Sequence, residues 1–291
     1  MKLILRGVTL LLMMATGMAW AESACKQPRV LHFATIPKKS LAQQYEEFEP
    51  LRQELQRVLG IPVRTVSVHS YQAVIEGLLS GAVDMAELGP AAYIQAKERD
   101  PGVQAVAAYS FRGGPFTPEG SYYNSLLLVK AGARIKSIRD LKGRSVALTD
   151  PGSTSGALIP MTEFKRESGV VLADYVGRRI YAGSHDRAIE AVLSGAVDAA
   201  FVSSRRADDY IGRGESKAGA LRELWRSRPI HYDPFTLSSQ LCPEVQTRIR
   251  QVLLTPSPAR QQLLDTKGAV GMQAVSDEDY RWLEQLVSQL K

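Results

Sequence analysis

Ten residues of this chain occur twice. Ile75-Glu76-Gly77-Leu78-Leu79-Ser80-Gly81-Ala82-Val83-Asp84 returns, with two changes, as Ile189-Glu190-Ala191-Val192-Leu193-Ser194-Gly195-Ala196-Val197-Asp198. Each copy has apolar residues at helical spacing, a Ser-Gly stop, and then Ala-Val-Asp leading into a strand. A solenoid needs several short-period copies, so a single duplication implies two lobes built on one plan. The length of 291 residues agrees, since it exceeds what one hydrophobic core usually serves. A matching turn precedes each copy, Ser70-Tyr71 and Ser184-His185, and both serines stand where they can cap a helix.

Between and around the copies, strand-like and helix-like stretches alternate. Val30–Thr35 reads as a first strand, followed by the loop Ile36–Ser40. A helix then carries Phe48, Leu51, Leu55, Val58 and Leu59 and stops at Gly60, and Val63–Val68 reads as a second strand. Such alternation predicts α/β layers with mainly parallel sheets. Tyr122–Val129 reads as an extended crossing from the first lobe to the second, and the proline-bounded stretch Arg228–Phe235 as the return crossing. Lobe 1 is therefore expected to comprise residues 28–122 and 230–291, and lobe 2 residues 123–229. Two lobes joined by two crossings enclose a cleft that helix N-termini from both sides would face.

The chain opens with the layout of a secretory leader, residues 1–21. Lys2 and Arg6 precede the apolar run Val8–Met14, and Ala19-Trp20-Ala21 offers a small-x-small cleavage site. Cleavage after Ala21 predicts a periplasmic mature protein. Glu22-Ser23-Ala24 lacks the apolar lead-in of a lipid-attachment site at Cys25. The formal charge is +6, falling to +4 once Lys2 and Arg6 are removed. That dispersed excess does not point to nucleic acid and suits a small anion. Cys25 and Cys242 are the only cysteines, and an oxidising compartment favours a bridge between them. The C-terminal helical segment should pack back on lobe 1 and bring them together.

One turn carries the clearest chemistry. The strand-like Ser145–Thr149 runs into Asp150-Pro151-Gly152-Ser153-Thr154-Ser155-Gly156, and an apolar helical pattern follows. Ser153 can cap that helix. The free amides of its first turn, with the hydroxyls of Ser153, Thr154 and Ser155, make an anion pocket at a helix N-terminus. Gly156 leaves room for a close approach, and Pro160 predicts a kink or a short first turn because it lacks an N–H. His185, at the start of the second repeated helix, could donate to the same anion. Tyr71, Tyr93 and Tyr123 could add hydroxyls, although lone tyrosines serve as readily in a core or at a rim.

Other marks fall in order along the chain. Val83-Asp84 is followed by Leu88–Tyr93, then Ser137–Gly143, Asp150–Gly156 with Pro160, Gly183–Asp186, Val197–Ala199 and Trp225–Ile230. Together they resemble the phosphonate/phosphite/phosphate periplasmic binding proteins of ABC transporters, the PhnD-like family, over nearly the whole mature chain. The resemblance implies an α/β, two-lobed type II periplasmic-binding-protein fold, each lobe a mainly parallel sheet flanked by helices, with two crossing hinge strands. It implies a small phosphorus oxyanion as ligand, held by Ser153, Thr154, Ser155 and His185, and an inner-membrane ABC permease as partner. A monomer without cofactor or metal is expected.

Two positions bear on the ligand. Asp233 falls where relatives that take aminoalkyl phosphonates carry an acid for the ammonium. The second such acid would fall near Ser204-Arg205, and a guanidinium at Arg205 would repel an ammonium. An oxyanion without an amine is therefore expected. A sensing receptor of the same fold coupled to a signalling protein, or a sulfonate binder, would share these features. An exported hydrolase using Ser153 or Ser155 would need more: the sequence has no G-x-S-x-G elbow and its few histidines are scattered. The chain is not read as an enzyme.

Overall fold

The structure is a computed structural model that describes residues 25–288 apart from Ala218; the expected leader lies outside the described residues. Thirteen strands form two sheets and a short ribbon. In chain order they are β1 (Leu31–Thr35), β2 (Val63–Val66), β3 (Met85–Glu87), β4 (Gln104–Phe111), β5 (Tyr122–Tyr123), β6 (Ser125–Lys130) and β7 (Ser145–Leu148). After these come β8 (Arg178–Tyr181), β9 (Ala199–Ser203), β10 (Leu221–Arg226), β11 (Ile230–His231), β12 (Pro234–Leu237) and β13 (Ala269–Ala274).

The lobe-1 sheet has the order β13-β4-β12-β3-β1-β2 and the lobe-2 sheet the order β10-β6-β9-β7-β8. Set side by side, β2-β1-β3-β12-β4 matches β8-β7-β9-β6-β10 strand for strand. In each sheet one reversed strand is wedged beside the strand that follows the repeated helix: β12 in lobe 1 and β6 in lobe 2. Both are the crossing strands, entering from the opposite lobe and so running against their hosts. The sheets are therefore mixed by pairing, where the sequence pointed to mainly parallel ones, although β1–β4 and β7–β10 each keep one direction. Between the lobes, β5 and β11 pair antiparallel, Tyr123 opposite Ile230 and Tyr122 opposite His231.

The repeated sequence makes the same device twice. The helices Tyr71–Ser80 and His185–Ser194 are capped by Ser70 and Ser184 and end at left-handed Gly81 and Gly195. The final Asp of each copy then clamps the strand next to the edge of its own sheet, β1 in lobe 1 and β7 in lobe 2. Asp84 accepts the His32 N–H at 2.8 Å and donates its own N–H to the His32 carbonyl at 2.9 Å. Asp198 does the same with Ser145, at 2.8 and 3.0 Å. The identity of the two copies thus reflects a structural clamp repeated in each lobe.

Burial follows strand position. In β6, Leu126 and Leu128 face one core while Leu127 and Val129 face another, so the strand is apolar from Leu126 to Val129. Lobe 1 packs Phe33, Phe48, Tyr109 and Phe235 edge to face in its centre. Each such ring buried contributes on the order of 1.5–3 kcal/mol. The helix Pro243–Leu254 packs on lobe 1, and Cys25 and Cys242 are joined as a disulfide with Cα atoms 4.7 Å apart.

Candidate functional site

The turn Asp150–Gly156 follows β7, and the shape of the helical turn after it follows from Pro160. An α-helix would pair the Gly156 carbonyl with residue 160, whose nitrogen carries no hydrogen. Thr154–Leu158 instead forms a π-helical turn, with the Leu158 and Ile159 N–H groups reaching back to the Ser153 and Thr154 carbonyls. The freed Gly156 carbonyl takes the Thr149 N–H at 3.1 Å, and the Ser155 carbonyl takes the Ser125 hydroxyl at 2.6 Å. The anticipated kink is thus a widened turn stitched to β7 and β6. Gly156 does leave room for a close approach, but the approaching group is protein: a Cβ there would fall on Thr149 Oγ1 and Cβ.

Ser153 caps the turn, accepting the Gly156 N–H at 3.1 Å and keeping its hydroxyl hydrogen to donate. The N–H groups of Thr154 and Ser155 have no protein acceptor among the described residues. These donors open on a small cavity between the lobes. Ser153, Thr154, Ser155 and His185 line it from lobe 2, and Tyr71, Tyr123 and Asp233 from lobe 1 and the hinge.

His185 is a neutral donor. Its Nδ1 accepts the Ser203 N–H at 3.2 Å and lies 3.2 Å from the Thr149 hydroxyl, so the ring proton belongs on Nε2. Burial, reinforced by the cations of Arg206 and Lys38, lowers its pKa to about 3. Tyr71 and Tyr123 are buried, and burial followed by the Asp233 charge raises both phenol pKa values, so they stay protonated. Thr154 closes the cleft: its Oγ1 accepts the Ala91 N–H, at the start of the lobe-1 helix Pro90–Arg99, at 2.8 Å.

Two of the nominated residues stand elsewhere. Tyr93 is buried against Tyr280 and gives its hydroxyl to Asp277, outside the cavity. It sits on the helix face turned towards the C-terminal helix instead of the cleft. Arg205 also misses the cavity: it pairs with Asp209 at 2.6 Å, donates to the Lys267 carbonyl at 3.1 Å and stacks 4.1 Å from Phe111. The cavity arginine is its neighbour, one residue and about 100° further round the helix Ser204–Gly212. Arg206 is buried between Asp186 (3.0 Å) and Asp209 (2.7 Å), and its Nε–H has no hydrogen-bond partner among the described residues.

Lys38, Tyr232 and Ser203 also line the cavity without having been foreseen. Lys38 lies in the loop after β1, at the carboxyl end of a strand where ligands gather in such sheets; that position was its only sequence signal. Burial disfavours its charge, but the Asp233 and Glu87 carboxylates outweigh burial and raise its pKa. Lys38 Nζ lies 2.7 Å from Asp233 and 3.0 Å from Glu87.

Matched lobes, a two-strand hinge and a small donor-lined cavity at their junction define a hinged solute-binding protein with a type II periplasmic-binding-protein fold. The family described as "ABC transporter, phosphonate, periplasmic substrate-binding protein" matches residues 33–280. The phosphate-import protein PhnD of Mycolicibacterium smegmatis is 33% identical over 233 residues, covering 77% of this chain and 70% of that protein. The phosphonates-binding periplasmic protein of Escherichia coli is 25% identical over 258 residues, 87% of this chain and 74% of that one. PhnD1 from Prochlorococcus marinus, solved in complex with methylphosphonate, has the same fold: TM-score 0.80, 20% identity, 90% of this chain and 98% of that chain. The chain belongs to the phosphonate periplasmic substrate-binding protein family of ABC transporters.

Proposed function

We propose that this chain is the periplasmic receptor of an ABC importer and captures phosphate, phosphite or a short phosphonate between its lobes. In this reading residues 1–21 are a leader removed after Ala21. Lobe 1 comprises residues 28–122 and 230–291, lobe 2 comprises 123–229, and the mature monomer delivers its ligand to an inner-membrane permease without altering it. The observation that carries the reading is the convergence of the unpartnered Thr154 and Ser155 N–H groups, the Ser153 hydroxyl and the neutral His185 Nε2–H on one small cavity. A tetrahedral oxyanion is satisfied by many aligned donors and needs no full counter-charge. Donors from lobe 2 are brought against lobe 1 only on closure, so the ligand draws the hinge equilibrium to the closed state.

A thermal-shift panel of phosphate, phosphite, methylphosphonate, methanesulfonate and taurine tests this. Binding to the native state alone stabilises by about 4 kcal/mol at a thousandfold excess over Kd, so a true ligand lifts the melting midpoint by several degrees. The expected response is to at least one phosphorus oxyanion and to neither sulfonate. The same oxyanion should give no lift with a Ser153→Leu/Ser155→Leu variant that remains folded. No response to any phosphorus compound would overturn the proposal.

A further inference from the structure

Asp233 is the only acidic side chain among the described residues lining the interlobe cavity, and its place is already taken. Lys38 Nζ sits 2.7 Å from its carboxylate and 3.0 Å from Glu87, and lies 5.8 Å from the centre of the Tyr232 ring. The lysine is 6% exposed, so this ammonium is a fixed part of the wall and not a surface charge folded inward. Lys38, Glu87 and Asp233 come from the ends of β1 and β3 and the start of β12, so three separate segments hold the ammonium in place. Across the cavity, Arg206 adds a second buried cation.

An ammonium carried by a ligand would need a free carboxylate, and this cavity has none to offer. It would also have to stand beside the Lys38 ammonium or displace it from Asp233, and either costs free energy in a desolvated space. We infer that Lys38 sets the ligand class, because its tethered ammonium takes up the one carboxylate that the cavity offers, Asp233. The cleft then takes phosphorus oxyanions whose remaining substituent is oxygen, hydrogen or a short alkyl group, and rejects amino-substituted ones. The inference rests on the oxyanion reading above and reaches the same exclusion that Arg205 was expected to impose, through a different residue.

The sharpest probe is a pair of ligands of equal size, ethylphosphonate and aminomethylphosphonate, which differ by a methyl against an ammonium. Isothermal titration should show the wild-type protein binding ethylphosphonate about a hundredfold tighter or more. Lys38→Met leaves Asp233 without its ammonium, so the ratio should move at least about tenfold towards the amine. Adding Asp233→Asn to that variant should remove the gain. Equal wild-type affinities, or a folded Lys38→Met protein with the wild-type ratio, would overturn the inference while leaving the oxyanion reading intact. If Lys38→Met does not fold, the wild-type ratio decides alone. Wild-type protein that binds neither compound, nor phosphate, phosphite or methylphosphonate, would sink the oxyanion reading and this inference with it.

Discussion

Replacing Gly156 by alanine sets two effects of opposite sign against each other. In an exposed helix interior the change stabilises by about 0.5–1 kcal/mol, because alanine loses less backbone freedom on folding. At Gly156 the new Cβ would press on Thr149 Oγ1 and Cβ and stand 2.9 Å from Ser153 Oγ. Thr149 cannot retreat freely, since its hydroxyl lies 3.2 Å from His185 Nδ1 and 3.3 Å from the Phe201 carbonyl. Overpacking of this kind costs roughly 1–3 kcal/mol, so a net loss of about 1–2 kcal/mol is expected. For a chain of this size that lowers Tm by about 2–8 °C. Displacing Thr149 also disturbs both the turn amides and the ring of His185, so methylphosphonate affinity should fall at least about tenfold, since one hydrogen bond to a charged group is worth that much. Calorimetric melting without ligand and isothermal titration give the two readouts. Gly212→Ala is the control, because nothing lies within 4 Å of a Cβ there. A Gly156→Ala protein that melts no lower than Gly212→Ala and binds normally would refute the packing argument.

Three further outcomes are expected. His185→Ala removes the Nε2–H donor and should weaken oxyanion binding about ten- to hundredfold, the worth of one hydrogen bond to a charged group; an unchanged titration would remove His185 from the site. With a native pKa near 3 and an ordinary value of 6.5, His185 binds fewer protons folded than unfolded between those limits. Its contribution is therefore complete above pH 6.5 and is lost as pH falls towards 3, at up to about 1.4 kcal/mol per pH unit. Urea midpoints between pH 7 and 4.5 should fall less steeply for His185→Gln than for wild type, and parallel curves would contradict the assignment. Cys25→Ser opens a bridge between residues 217 apart in sequence, and loop entropy places the loss at about 5 kcal/mol. Guanidinium midpoints of the oxidised protein and the variant measure it, and coincident curves would show that the bridge does not constrain the unfolded chain.

The chain's local signals were strong where the backbone itself does the work. The duplicated decapeptide foretold two lobes because a helix, its glycine stop and the Asp clamp are short-range devices, and Ser70, Ser153 and Ser184 cap the helices they precede. Pro160 likewise announced a distorted first turn, since a missing N–H is a fact of composition. The open N–H donors of the Ser153–Ser155 turn were legible for the same reason: helix N-termini expose amides wherever they occur. What the sequence could not decide was direction. Arg205 and Arg206 are adjacent letters, yet about 100° of helix rotation sends one to a rim pair with Asp209 and the other into the cavity. Tyr93 faced the C-terminal helix because Asp277, far along the chain, supplies its partner. Lys38 gained its partners only when Glu87 and Asp233, remote in sequence, were folded against it. Propensity and capping act within a turn or two, but the environment of a buried charge is assembled from whichever segments the tertiary fold brings together.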